Sequence, residues 1–445
     1  MMTAAEALAL ARRAVELTSA DEAEALVVDE TLALTRFAGN HIHQNVAEED
    51  ALVSVRAVLG TRIGVASTNR TDDEALRAVC DAAVLAASQT PEDLKFPGLP
   101  GPEPVDEPAD RFCVTTAEFD AVARSQAAAS IIGQSSSRGL TAAGTIATSL
   151  RTTAVANSKG VAASMPTSSA RATVLSLGED TGTGWASWTD KDASLLAAAA
   201  LGDEAASLAQ RSANPADLEP GEYAVVLGPE AVSDILQFLA YTGFSAKAYE
   251  EGRSFMSGNL ENAVGSELVT IVDDALAPHA LGLTFDFEGA PKRRVPLIEY
   301  GVALRPVTDS YWASRGGWPN SGHALPAPNS LGPYPLNLEM EPGEATLDEL
   351  IGSIERGVYV TRFHYVNVED PMTVLLTGMT RDGTFMIENG RLTQPLKNQR
   401  FTQGALEALW WTSGVSADRR FVGEETATLV PAIKVDKFSF TGQTT

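Results

Sequence analysis

Cysteine is nearly missing from this 445-residue chain, with Cys80 and Cys113 the only two. A disulfide framework and a cysteine-rich zinc ribbon both need more of them at closer spacing, so both are excluded and the two thiols are expected to be reduced and inert. Histidine is scarce too: His41, His43, His279, His323 and His364 are the whole supply. Basic charge is outnumbered, 33 Lys and Arg against 58 Asp and Glu, for a formal net charge of −25. Nucleic acid, whose binding needs a basic face, is not an expected partner. No apolar run approaches the ~18 residues of a membrane span. The clearest is Ser194-Leu-Leu-Ala-Ala-Ala-Ala-Leu, so no membrane attachment is expected. The first residues form an Ala/Glu-rich amphipathic pattern instead of a basic region followed by an apolar core, which predicts no secretion signal and a cytoplasmic location. G-x-S-x-G, G-x-G-x-x-G after a strand, and the P-loop are all missing, so hydrolase, dinucleotide and nucleotide readings have no motif to rest on. The glycine-rich run from Gly178 to Gly184 carries Glu179 and Asp180, which repel phosphate.

What is present is a globular pattern, 44% hydrophobic and 20% charged, too long for one ordinary core. The expected fold class is α+β in two domains. Both domains are expected to be built on antiparallel sheets, with helices packed on that of the N-terminal domain (1–215) and a mostly β C-terminal domain (216–445). Thr3-x-x-Glu6 reads as a capping box opening a helix with a Leu8, Ala11, Val15 stripe. Strands are expected at 23–28, 32–37, 51–59 and 62–67. Thr71-x-x-Glu74 then caps a second helix, and both helices are expected on one face of the sheet. Residues 91–110, rich in Pro and acid, read as a surface linker. Thr115-x-x-Glu118 opens a helix running to Ile132. Strands follow at 139–149, 152–157, 161–165, 171–177 and 184–189, then an Ala-rich helix over 193–210.

The second half opens on the apolar strand Tyr223–Leu227 and a helix over 229–242. Gly228 suits its N-cap, Pro229 its first position and Gly243 the left-handed residue after its last turn. Val232, Ile235, Leu236 and Leu239 give it one apolar face. Short strands are expected at 284–289 and 297–302. The stretch 316–335, rich in Gly, Pro, Ser and Asn, is long enough to be a binding loop or lid. Thr346-x-x-Glu349 caps a short helix. Strands then run over 358–368, 372–379, 384–388 and 390–392, with a turn at Asp382-Gly383, followed by a helix over 403–411 and a last strand over 432–440.

Few residues carry chemistry. His41 and His43 share a strand face and can ligate a metal, although with no nearby Cys an exposed strand is the plainer reading. His279 follows Pro278 in a loop and reads as structural. His323, in the Gly/Pro loop, can reach a cleft. Arg362 and His364 share a strand face by period two, opposite Phe363 and Tyr365, and together could bind a carboxylate or donate a proton; a solvated sheet face is the plainer reading.

The order of several segments is similar to that of the TldD/PmbA (TldE) family. Leu59-Gly-Thr-Arg-Ile-Gly-Val-Ala-Ser-Thr resembles its Gly-x-Arg-x-Gly strand turn, and Ala156-Asn-Ser-Lys-Gly its Asn-Ser-x-Gly hairpin. Phe285-Asp-Phe-Glu-Gly-Ala-Pro with Pro296-Leu-Ile-Glu-Tyr-Gly-Val resembles its Asp-x-Glu-Gly segment and following strand. Ile387-Glu-Asn-Gly-Arg-Leu-Thr-Gln-Pro resembles its Ile-Glu-Asn-Gly hairpin. The resemblance implies a two-domain α+β fold and a dimer enclosing a tunnel. In it, catalytic TldD-type and non-catalytic TldE-type chains pair as a metallopeptidase acting on unfolded or short peptides. TldD-type members carry a zinc-binding H-E-x-x-x-H on the helix after the Gly-Pro step. Here those positions hold Gln237, Phe238 and Thr242, and the C-terminal Cys ligand has no counterpart, since no Cys follows Cys113. The resemblance therefore implies a TldE-like subunit with no catalytic residues and no metal of its own. Zinc is expected in a TldD-like paralogous partner; Arg362, His364 and His323, from their positions in the chain, are the candidate residues for a channel that takes an extended peptide. Two other readings stay open: a member with its own altered chemistry in peptide or natural-product tailoring, and a homodimeric peptide-binding protein.

Overall fold

The computed structural model describes residues 1–105, 110–179, 182–423 and 427–443. The middle of the proline-rich segment, Asp180 of the glycine-rich run and part of the stretch between Val422 and Pro431 lie outside the described residues. In the first half the order is α1 (Ala4–Leu17), β1 (Glu22–Ala38), β2 (His41–Leu59), β3 (Arg62–Thr68), α2 (Asp73–Gln89), α3 (Val114–Ala117), α4 (Ala121–Ser136), β4 (Thr141–Asn157), β5 (Ala162–Leu177), β6 (Thr183–Asp190) and α5 (Ala198–Arg211). The strands form one antiparallel sheet, β3-β2-β1-β4-β5-β6. Strand alternation assigns its faces. Ala25, Val27 and Phe37 of β1 and Ala142, Ile146, Ala154 and Ala156 of β4 look into two apolar clusters built with α1 and α2 and with α4 and α5. All four long helices thus cover one face. On the other face Leu26, Val155 and Met165 pack against Phe285 from the C-terminal half.

The strands are longer than their hydrophobic runs. β1 and β2 are continuous through Glu30–Leu34 and Val46–Asp50, where one paired strand continues through polar residues. β4 likewise joins the two strands expected at 139–149 and 152–157. Caps also differ from the expected ones. The Thr3/Glu6 box forms, but α2 is capped by Asp72, whose side chain accepts from the Ala75 amide. The helix expected from Thr115 is instead two: α3 ends at Ala117, and Asp120 caps α4 through the Ala123 amide. The described part of the proline-rich segment lies against the sheet. Asn157 donates to the Pro100 carbonyl (2.9 Å), Glu22 accepts from the Leu99 amide (2.7 Å), and buried Arg111 donates to the carbonyls of Ala275, Ala277 and Pro278.

The second half runs β7 (Gly221–Leu227), α6 (Pro229–Thr242), α7 (Ala246–Glu250), β8 (Ile271–Asp273), β9 (Val295–Glu299), β10 (Val302–Ala303), α8 (Ser310–Gly316), β11 (Leu338–Met340), α9 (Leu347–Gly352), β12 (Arg356–Asp370), β13 (Leu375–Glu388), β14 (Arg391–Pro395), β15 (Gln399–Gly404), α10 (Ala405–Trp410), β16 (Thr412–Val422) and β17 (Thr428–Gln443). Its eleven-stranded sheet is mixed rather than antiparallel, because β12 pairs with β7, and β11 with β17, in parallel. β16 is an addition to the expected strands; it pairs with β17 through two register shifts. Residues 284–289 do not form the expected strand. Asp286 accepts from the amides of Glu288, Ala290 and Ala324, and Gly289 sits at φ +76°, so the segment closes into a turn. The expected turn at Asp382-Gly383 is instead a bulge inside β13, where the β12–β13 register slips between Val360 and Arg362.

Candidate functional site

α6 is the element on which family chemistry would have to stand. Pro229 is its first residue, and Val232, Ile235, Leu236, Leu239 and Ala240 are buried in the main C-terminal core. Gly243 ends it, but at φ −128° and not in the left-handed region. Glycine is required there because a Cβ would lie 2.1 Å from the Phe255 ring.

The three positions that the resemblance aligns with zinc ligands and base hold Gln237, Phe238 and Thr242. Gln237 Nε2 donates to Ser233 Oγ one turn back (3.1 Å), and Ser233 Oγ lies 2.6 Å from Thr428 Oγ1. Thr242 is buried and donates its hydroxyl to the Phe238 carbonyl (2.7 Å). Phe238 packs against the core. An amide, a hydroxyl already bonded to backbone and a hydrocarbon ring are not the imidazole, thiolate or carboxylate donors that zinc selects, so the residues present do not fit the metal. Among the described residues no group of three His, Cys, Asp or Glu side chains is placed to hold a metal ion.

The other candidates are scattered. His41 and His43 are exposed at the start of β2, and His41 Nδ1 lies 3.0 Å from the Gly39 carbonyl. His279 Nε2 lies 2.7 Å from Glu339. His323 does not stand on an open wall: it is 1% exposed, with Nε2 2.8 Å from Asp273 and Nδ1 3.0 Å from Ser321. Burial, reinforced by the Lys292 ammonium, pushes its imidazole pKa down. The Gly/Pro loop therefore threads this part of its length through the interior, where a lid would be free.

Arg362 is also committed. Its Nε and Nη2 lie 2.7 and 2.5 Å from Asp382, and its guanidinium stacks 4.5 Å from the Trp185 ring of β6, so it joins the two halves of the molecule. His364 stays partly exposed and lies against Tyr365, 4.4 Å between ring centroids. Tyr365 is not on the buried side with Phe363. Its φ of +50° breaks the alternation where the β12–β13 register shifts, and it is 74% exposed. Partial burial and the charges of Arg381 and Arg362 lower the His364 pKa.

The sequence reading missed the acids around this contact. Glu230 and Asp234 lie one turn apart on α6, before Phe238, on a helix otherwise rich in apolar residues; that i, i+4 pair was the available signal. Burial, opposed by Arg362 and reinforced by Glu230, pushes Asp234 up to about 7. Burial likewise raises Glu230, which lies 3.6 Å from Arg420. The same cause brings Glu24, Asp286 and Asp309 to about 7.

These shifts fix a pH dependence. A carboxyl near 7 when folded and near 4 when unfolded holds a proton in the native state that the unfolded chain has released, so stability falls as pH rises through that window. One such group contributes at most about 1.4 kcal/mol per pH unit. The midpoint of thermal unfolding should be higher at about pH 5.5 than at about pH 8; a midpoint that rises toward pH 8 would contradict the assignment.

Comparison with known proteins follows this geometry. The sequence matches the PmbA/TldA metallopeptidase C-terminal domain over residues 220–442, domain 1 over 23–87 and the central domain over 104–213. The Metalloprotease TldD homolog of Buchnera aphidicola (subsp. Acyrthosiphon pisum) is 28% identical over 220 residues, covering 48% of this chain and 45% of that protein. The Zinc metalloprotease TldD homolog of Saccharolobus solfataricus is 26% identical, covering 44% of each. The chain thus spans less than half the length of these curated relatives. The crystal structure of TldE from Thermococcus kodakarensis superposes with a TM-score of 0.89 at 21% identity, covering 98% of this chain and 99% of that one, which establishes the shared fold. With its C-terminal domain match alone covering half the sequence and the two other domains in order before it, the chain belongs to the PmbA/TldD metallopeptidase family.

Proposed function

We propose that this chain is a non-catalytic, TldE-like subunit that pairs in the cytoplasm with a metal-bearing, TldD-like paralogue and helps confine unfolded or short peptides for hydrolysis. The observation that carries this reading is the state of α6. Its fold is kept and its core face is intact, while the positions aligned with the zinc ligands and base hold Gln237, Phe238 and Thr242, each engaged in local packing or hydrogen bonding. Peptide capture would use backbone hydrogen bonding, which tolerates varied sequence. His364, beside the exposed Tyr365, is the candidate channel residue left accessible. Arg362 and His323 serve as internal ties.

One observation favours the reading in which the chain has chemistry of its own. Asp234, with a pKa pushed up to about 7, stands one turn from Phe238 and is suited to proton transfer near neutral pH. Association decides part of this. Mixed with the paralogue that carries H-E-x-x-x-H on the corresponding helix, the chain should form a stable complex with zinc bound in proportion to the paralogue alone. Failure to associate, or zinc in proportion to this chain, would remove the proposed role.

A further inference from the structure

A cavity of about 250 Å³ lies between the open face of the six-stranded sheet and the C-terminal half. Its sheet wall carries Arg151 and Thr153 of β4; its opposite wall carries Lys292 and Asn337 together with Leu283, Phe285 and Phe421. Arg151 Nε, Thr153 Oγ1, Lys292 Nζ and Asn337 Nδ2 are each buried with no hydrogen-bond partner among the described residues. Thr153 is 1% exposed, Lys292 4% and Asn337 8%. Buried polar atoms without partners are rare in native proteins, and each calls for a reason. All four here can donate. The carboxylates of the same cavity are already engaged: Glu30 accepts from Ser149 (2.6 Å) and Arg151 (3.0 Å), and Glu339 lies 2.7 Å from His279 and accepts from Arg419 (2.9 Å). Asp273 and Asp286, whose charges also act on Lys292, are engaged by His323 and by backbone amides, so the cavity keeps unpartnered donors beside an apolar wall.

We propose that the cavity binds a carboxylate-bearing small molecule with an apolar body, the size of one apolar amino-acid residue. Donors surplus to the protein's own acceptors select an anion, and Lys292 and Arg151 make the bonds charge-assisted. The apolar wall of Leu283, Phe285 and Phe421 takes the body, as in ligand pockets generally. A cavity of about 150 Å³ is enough for benzene, so this one admits a somewhat larger ligand. The residues Phe421 and Ala427 at one end stand beside Thr428, whose hydroxyl meets Ser233 of α6. The cavity therefore adjoins the helix on which the family's peptide chemistry stands. That the carboxylate is the C-terminus of a peptide rests on the function proposed above; the carboxylate site itself does not.

The test is calorimetric titration of the full chain with N-acetyl-leucine, N-acetyl-leucine amide, hexanoate and acetyl-Ala-Ala-Leu. The free acids should bind at least about tenfold more tightly than the amide. Thr153→Val should weaken the acids by about tenfold without lowering the thermal midpoint, because it removes a donor that has no partner in the protein, whereas Lys292→Met should weaken them at least as much and also cost stability, since the charges of buried Asp273 and Asp286 lose a nearby cation. A structural role for the Thr153 hydroxyl would move stability and leave the affinity for acids unchanged. Equal binding of acid and amide, or no binding of any acid at millimolar concentration, overturns the proposal with the unaltered protein, whatever the variants do. Tighter binding of the tripeptide than of N-acetyl-leucine and hexanoate identifies a peptide end. Equal binding of all three acids keeps the site and rejects the peptide source, while leaving the pairing with a metal-bearing subunit standing on its own test.

Discussion

Arg56→Ala should cost about 3–5 kcal/mol at about pH 8 and separate the sheet layer from the C-terminal half before global unfolding. Arg56 of β2 donates through Nη2 to Glu24 of β1 at 2.8 Å, and through Nη1 and Nη2 to Glu288 of the C-terminal half, both at 3.1 Å. The three side chains are only 5–11% exposed. One guanidinium thus offsets two carboxylates from different parts of the chain, and Glu288 Oε2 also accepts from the Ser310 amide (3.2 Å). Burial, reinforced by the like charge of Glu288 and only partly countered by Arg56, raises Glu24 to about 7. Without the arginine two like charges face each other out of water. The loss should therefore shrink at about pH 5.5, where the acids can protonate. Arg56→Met combined with Glu24→Gln and Glu288→Gln, which removes the charges together, should recover most of the stability. Denaturant unfolding at the two pH values measures this. A loss below about 1 kcal/mol at pH 8 would place the triad among solvated pairs.

Restoring the family's ligand pattern with Gln237→His, Phe238→Glu and Thr242→His should give a destabilised protein without peptidase turnover. Thr242 is 3% exposed, so an imidazole must enter packed space, at a cost of about 1–3 kcal/mol. Phe238→Glu sets a carboxylate where a ring packs against the core, which adds a further cost of roughly that size. The Gln237–Ser233 bond, next to the Ser233–Thr428 contact, is lost as well. No cysteine follows Cys113, so two imidazoles would have to hold the ion without the third protein ligand or the hydrogen-bonding groups that orient ligands. Thermal unfolding with and without zinc checks the stability. Zinc-dependent cleavage of an unfolded peptide by the triple variant alone would show that the site had been dormant.

Much of this was legible in the residues because it depends on local chemistry. The Gly-Pro step and the apolar spacing from Val232 to Leu239 define α6 without any tertiary information. The capping boxes at Thr3 and Thr346 form as written. What escaped depends on partners distant in sequence. Asp382-Gly383 has the composition of a turn, yet pairing with β12 turns it into a bulge. Asp286 looks like a strand residue until its three amide partners are known. His323 and Arg362 read as accessible because nothing local signals Asp273, 50 residues away, or Trp185 on another sheet. The surplus donors of the inter-layer cavity could not be found from sequence, since Thr153 and Lys292 become notable only through what fails to meet them.

The central claim, that this chain assists a metallopeptidase without being one, is tested most directly by zinc-dependent hydrolysis of an unfolded peptide. Three samples suffice: this chain alone, the paralogue bearing H-E-x-x-x-H alone, and the two mixed. The account predicts no turnover by this chain at any zinc concentration and more turnover by the mixture than by the paralogue alone. Zinc-dependent turnover by this chain alone, abolished by Asp234→Asn or by chelation, would contradict it.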